Sequence, residues 1–411
     1  VVAQISKKIL VNTIRIKMPQ LTLVQPKISS DEELNIAHQI ILSLEQNKLN
    51  NAILLLDRLS EGRMFPQPWI QATKYALKNE DWSVLSEGFI RKEFIGTDGY
   101  FLLIAPHQLS YEEGGVIKLS AILGKVMPID CVPLKDIEEQ VLNVFGKLLQ
   151  PITEIIPFTC LFACSRFYSE DSEAFIVPES WMIPGSLEGP VINNLARHRQ
   201  RFHQIVRRNI PRIFEPETAN LLLDSLADER IGSQRQHIEY QYHDAGHATG
   251  LGIKRKIQDK LLSTYWFAGI EEWRADSVEF DLAIRTLPNA EVGKLIAANL
   301  CLRFGIDAQR WGGYDYDTHA TSSLFNLEYL FRSSAMHIKK DKLALRNPDY
   351  ESLVKAIEMQ RAEAVSITRE ELFLEHPTGI LGCYHSIKVH QSTKEIFRKF
   401  IVGASKDTLE N

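Results

Sequence analysis

The stretch 240-YQYHDAGHATGLG-252 places His243 and His247 four residues apart, with an acid, Asp244, directly after the first. On a helix, positions i and i+4 lie one above the other, so both imidazoles reach a single ion while residue 244 points to its side. That is the geometry behind the H-E-x-x-H metal helix, with aspartate standing where glutamate usually stands. A catalytic centre built on such a helix needs a third protein ligand, and a following helix is the usual source.

The stretch 270-IEEWRADSVEFDLAI-284 offers the acids for it. Glu272, Asp276 and Glu279 fall at i, i+4 and i+7, so one helical face carries all of them, while Trp273, Val278, Phe280 and Leu282 supply packing elsewhere. Carboxylates crowded on one face repel one another, and a cation is a natural reason to keep them there. The apolar flanks, 261-LLSTYWFAGI-270 and 280-FDLAI-284, argue against an exposed helix. Glu271, turned about 100° from Glu272, is expected to point away from the ion.

Together, His243-Asp244-Ala245-Gly246-His247-Ala248-Thr249-Gly250 and Glu271-Glu272-Trp273-Arg274-Ala275-Asp276-Ser277-Val278 resemble the paired motifs H-E-L-L-G-H-G-S-G and E-E-C-R-A-E-S-V of the dipeptidyl peptidase III family of zinc peptidases. The resemblance implies Zn2+ on His243, His247 and Glu272, with Asp244 as general base. It further implies Asp276 orienting a ligand histidine, and Glu279 lies farther along the same face. The resemblance covers about residues 240–285. This chain has the compact five-residue histidine motif and an aspartate in place of the family's glutamate. Because aspartate is one methylene shorter, proton shuttling by Asp244 needs a repositioned helix. Two histidines and a carboxylate also form the facial triad of Fe2+ oxygenases, so oxygen chemistry stays open beside hydrolysis. A third alternative is a degenerate peptidase scaffold with a structural metal.

Downstream, 311-WGGYDYDTHATSSLFNLEYLF-331 carries Tyr314, Tyr316 and His319 on a Gly-Gly turn that leads into a helix. Tyr316 and His319 are candidates to hold an oxyanion opposite the metal. Asp317-Thr318 makes a helix start that presents His319 at an element end. His237 and Tyr240 precede the metal motif and are weaker candidates to line the same cleft, whereas His376, His385 and His390 have no ligand spacing.

The remaining chain fixes the setting. It has 411 residues, 45% hydrophobic and 24% charged, with a net charge of −5, which gives no reason to expect nucleic acid or an anionic membrane as partner. The basic run 197-RHRQRFHQIVRRN-209 keeps an apolar stripe through Ile192, Leu195, Phe202, Ile205 and Val206, and reads as a solvated helix face. Cys131, Cys160, Cys164, Cys301 and Cys383 are odd in number, and Cys160 and Cys164 read as buried thiols in a strand. With no signal-like opening, a cytoplasmic protein is the expectation.

Residues 29–60 predict two helices and 68–93 a third. The stretches 100–105, 116–123, 158–168 and 174–178 predict an antiparallel sheet, with a helix over 135–149. Beyond the Pro/Gly-rich segment 178–190 the pattern is helical. The expected fold is therefore α+β and mostly helical: an N-terminal region over 1–185, then a helical, zincin-like metal domain over 186–411. The expected activity is a metal-dependent hydrolase acting on a short peptide or an amide-like small molecule.

Overall fold

The computed structural model describes residues 29–108, 117–130, 132–149, 151–163, 174–176, 191–250, 265–308, 317–373 and 387–402. The fold is α+β and mostly helical. Ser29 caps the first helix, Ser30–Glu45, by accepting from the Glu32 N–H at 3.3 Å, and Asp31, Glu32 and Glu33 fill its positive first turn. A turn through Asn47, at φ 58°, leads into Leu49–Leu59. The third helix stops earlier than its periodicity predicts, at Asn79. Glu80 adopts φ 55°, and Asp81 accepts from the Ser83 N–H at 3.2 Å, starting a tight 3-10 turn over Trp82–Leu85. Trp69 ties this helical layer to the sheet by donating to the Leu102 carbonyl at 3.0 Å.

The sheet runs in the order β1-β2-β3-β5-β4, with β1 Tyr100–Gln108, β2 Ile117–Val126, β3 Ile155–Ala163, β4 Ala174–Ile176 and β5 Val191–Asn194. It is mixed and not purely antiparallel, because β5 pairs parallel to β3 in the register Ile155↔Val191. Ile192 therefore belongs to a strand and not to the helical stripe expected there. It joins Ile36, Ile40, Leu56, Phe101, Leu103 and Phe158 in one core. Asn194 then caps the helix Leu195–Arg201. Its basic face is not wholly solvated: Arg199 and Arg201 are buried, and Arg199 donates to the Leu226 carbonyl at 2.8 Å. Cys160 is half-buried, and Cys164 lies outside the described residues.

The second core is helical. The helix Tyr265–Thr286, called here the acidic helix, is enclosed by Glu229–His247 (the histidine helix), Asn289–Gly305 (the arginine helix), Thr318–Arg332 and Glu358–Phe373. Val278 and Leu282 pack among Tyr242, Ile296, Leu300, Leu324 and Leu327. Enclosure on every side means that the polar residues of the acidic helix, Arg274, Asp276, Ser277 and Glu279, are buried as well and must find partners inside. Gly246 permits a close crossing of the histidine helix and the acidic helix. A Cβ there would meet the Ala275 carbonyl oxygen at 2.7 Å and its Cα at 2.8 Å, so only glycine lets the two helices approach this closely. One hairpin interrupts the helical region, β6 Met336–Lys339 and β7 Lys342–Leu345, turning on Lys340 and Asp341 at φ 51° and 56°. No described helix is long and apolar enough to cross a membrane.

Candidate metal centre

The crossing at Gly246 brings His243, His247 and Glu272 together, with one potential ligand atom from each lying within 4.8 Å of the others. His243 Nε2 and His247 Nε2 face each other at 3.0 Å, and Glu272 Oε2 is 3.1 Å from the former. Two nitrogens bound to one tetrahedral zinc ion at ~2.0–2.1 Å stand about 3.3–3.4 Å apart, so this donor set has the right chemistry and nearly the right spacing. The other ring nitrogens are anchored. His243 Nδ1 donates to Asp276 Oδ1 at 2.8 Å, and His247 Nδ1 donates to Glu271 Oε1 at 3.3 Å. Such carboxylate anchors set the tautomer and turn the Nε2 lone pairs inward.

The charges on these groups reflect the crowding. Burial opposes the charged form of His247, yet Glu272 and Glu271 outweigh it and push the imidazole up to about 10. Burial would likewise raise Glu272, but His319 and His247 hold it well below the usual carboxylate range. A site in this state exchanges protons for an ion when a metal enters.

The structure corrects the reading of the acidic face. Asp276 is matched by Arg303 of the arginine helix, whose Nε donates to Oδ2 at 3.0 Å and whose Nη2 donates to Oδ1 at 2.6 Å. An internal guanidinium, and not only a metal, therefore permits that clustering. Arg303 Nη1 also donates to Asp307 Oδ2 at 3.1 Å and to His319 Nδ1 at 2.9 Å. His319, one-third exposed, is 3.2 Å from Glu272 Oε2. Glu279 lies deeper and accepts from Asn299 Nδ2 at 3.1 Å.

Glu271 does not point away from the site as its 100° offset implies. The His247 ring spans the gap, so Glu271 meets its far nitrogen, and Arg274 holds the carboxylate by donating from Nε at 2.8 Å. Glu272→Ala is accordingly expected to abolish metal binding. Glu271→Ala should retain the ion but weaken it ~10–100-fold, the usual cost of losing an anchoring carboxylate. Competition with a chromophoric chelator measures both, and equal loss in the two variants would contradict the assignment.

Asp244 lies partly exposed on the histidine helix beside His243. His237 is buried, and burial pulls it down to about 4; its Nδ1 has no partner among the described residues. Tyr240 hydroxyl and His198 Nδ1 are 3.3 Å apart. Tyr314 and Tyr316 lie outside the described residues. Arg303 was missed in the sequence. Its signal is a pair of polar residues, Asn299 and Arg303, at i and i+4 in the otherwise apolar run 295-LIAANLCLRF-304.

The fold is similar to that of known peptidases. The dipeptidyl peptidase III of Caldithrix abyssi is 14% identical with a TM-score of 0.61, over 87% of this chain and 70% of that one. The dipeptidyl-peptidase III of Corallococcus sp. strain EGB is 13% identical with a TM-score of 0.52, over 86% and 70%. None of the curated proteins compared with the chain matches it. A family model described as a family of unknown function (DUF6014) matches residues 27–303.

Proposed function

The chain belongs to the family of unknown function DUF6014, and we propose that it is a zinc-dependent hydrolase acting on a short peptide or an amide-like small molecule. The observation that carries this reading is the pair of imidazoles facing each other Nε2 to Nε2 at 3.0 Å, each anchored behind by a carboxylate, with Glu272 beside them. Two inward lone pairs at that distance repel unless a proton or a metal ion lies between them, and a metal ion replaces the proton when it binds. Its setting in a fold shared with dipeptidyl peptidase III structures supports the same reading.

In this proposal His243, His247 and Glu272 hold zinc, which supplies a Lewis acid able to polarise a carbonyl and to make water nucleophilic near neutral pH. Asp244 takes a proton from the attacking water and delivers it to the leaving amine. His319 Nδ1 accepts from Arg303, which places the ring hydrogen on Nε2, where it meets the developing oxyanion. Asp276 and Glu271 keep the ligand rings oriented.

Elemental analysis of protein purified without chelator or nickel should find one zinc per chain, and none in His247→Ala. A panel of peptide and amide substrates, run anaerobically with zinc beside an oxygen-consumption assay with Fe2+, tests the chemistry. Hydrolysis without oxygen supports the proposal. Oxygen uptake coupled to product, or wild-type protein without metal, refutes it.

A further inference from the structure

One helical turn deeper than the metal centre, the same three helices enclose a second polar cluster. Glu239 Oε1, Asp276 Oδ1 and Glu279 Oε2 lie 3.2, 3.3 and 3.1 Å from a single atom, Asn299 Nδ2. An amide nitrogen has two hydrogens, so it cannot satisfy three acceptors at once. All four residues are buried, Asn299, Asp276 and Glu279 completely. Asn299 aims its amide into the cluster, and its carbonyl oxygen has no partner among the described residues. Glu239 Oε2 and Glu279 Oε1 have none either, and one turn back on the histidine helix the buried Gln236 also has an orphan oxygen.

Every orphan in this cluster is an oxygen acceptor. Its deficit is one of positive charge. Asp276 is answered by Arg303 and His243, whereas neither Glu239 nor Glu279 forms an ion pair among the described residues. Unpaired carboxylates in a dry interior carry a large desolvation cost, which a cation or added protons must offset.

We propose that Glu239, Glu279, Asn299 and Asp276 form a second cation site, selective for a hard divalent ion such as calcium and distinct from the histidine site. The donors are all oxygens, and hard cations prefer such sets over sites containing imidazole. A half turn of the Asn299 amide exchanges its nitrogen for its unpartnered carbonyl. Two oxygens from each glutamate and that carbonyl then offer up to five oxygens, and water would complete the ~6–8 ligands calcium takes, with Asp276 adding negative charge beside them. The ion's two charges balance the two glutamates. It would brace the three helices directly behind the residues that orient His243.

The test uses the full chain, stripped with chelator, reloaded with one equivalent of zinc and titrated with calcium chloride by equilibrium dialysis and thermal melting. Wild type and His247→Ala should each bind one calcium with a saturable rise in Tm, since the second site does not use His247. Glu279→Gln and Glu239→Gln should bind at least ten-fold more weakly and lose the rise in Tm. Asn299→Asp adds a charged oxygen and should bind several-fold more tightly; it also keeps the test decisive if a glutamine variant fails to fold. Absence of calcium binding and of any calcium effect on the Tm of wild type would mean that protons balance the glutamates, overturning the proposal. So would calcium binding that survives in the glutamine variants, or that disappears in His247→Ala, which would place calcium at the first site. These outcomes are separate from the failure of the hydrolase reading, which turns on zinc and on turnover.

Discussion

Asp244→Asn is expected to lower turnover by ~10²–10⁴-fold while leaving the zinc content unchanged, because removing a general acid–base group costs that much and the amide cannot accept a proton. The separation follows from where Asp244 lies. It is the neighbour of His243 but is no member of the group whose ligand atoms converge, and its side chain is partly exposed while Asp276 and Glu271 anchor the rings from behind. Asp244→Glu gives the complementary measurement. If the close crossing at Gly246 tailors the site to a shorter acid, the added methylene misplaces the carboxylate by about 1 Å, and a loss of ~10²-fold is expected. Steady-state kcat on the best substrate, with metal counted in the same preparations, settles both. Unchanged kcat in Asp244→Asn would remove this residue from the chemistry and leave the oxygenase or a structural metal as the surviving alternatives.

What the sequence disclosed and what it concealed follow one physical division. The pairing of His243 with His247, and the common face of Glu272 and Asp276, are local: each depends on the 3.6-residue period of one helix. The helices at 30–59 were legible for the same reason, since a single buried face leaves a periodic trace, whereas the strands at 100–105 and 117–123 show as short β-rich apolar runs, with Phe101 to Ala105 and Ala121 to Leu123 buried without alternation. Glu80 ends a helix in a left-handed conformation without glycine, and Lys340-Asp341 turn a hairpin likewise, so neither break carries the glycine that usually marks such a turn. The direction of β5 beside β3 is a matter of chain path and leaves no mark in composition. Arg303 was hidden for a further reason. Its partners Asp276, Asp307 and His319 come from two other helices and the end of its own, and only the assembled interior shows that a guanidinium belongs among them.

Arg303→Met is expected to destabilise the protein by about 3–5 kcal/mol at pH 7, the range for breaking a buried ion pair while leaving one charge behind. Methionine keeps much of the stem's volume, so the loss reports the guanidinium and not a large cavity. Asp276, wholly buried, would retain His243 and the Ser322 hydroxyl at 2.9 Å as partners but lose two charge-assisted bonds. The pH dependence fixes the cause. Burial alone would raise the Asp276 carboxyl, but Arg303 and His243 hold it well below its ordinary value of 3.8. The native state therefore binds fewer protons here than the unfolded chain. This contribution is fully present above about pH 4 and is lost as pH falls through the depressed native value. The gap between wild type and Arg303→Met should thus be widest at neutral pH and begin to narrow below about pH 4, read from urea midpoints at pH 7 and pH 3.5. Arg303→Lys should lie between the two, since it restores the charge without the two-pronged contact to Asp276. A methionine variant as stable as wild type at pH 7 would show that the acidic helix does not depend on this guanidinium. The clustering of its carboxylates would then need a different cation, and the proposed second site, which includes Asp276 and Glu279, would be the nearest place to hold one.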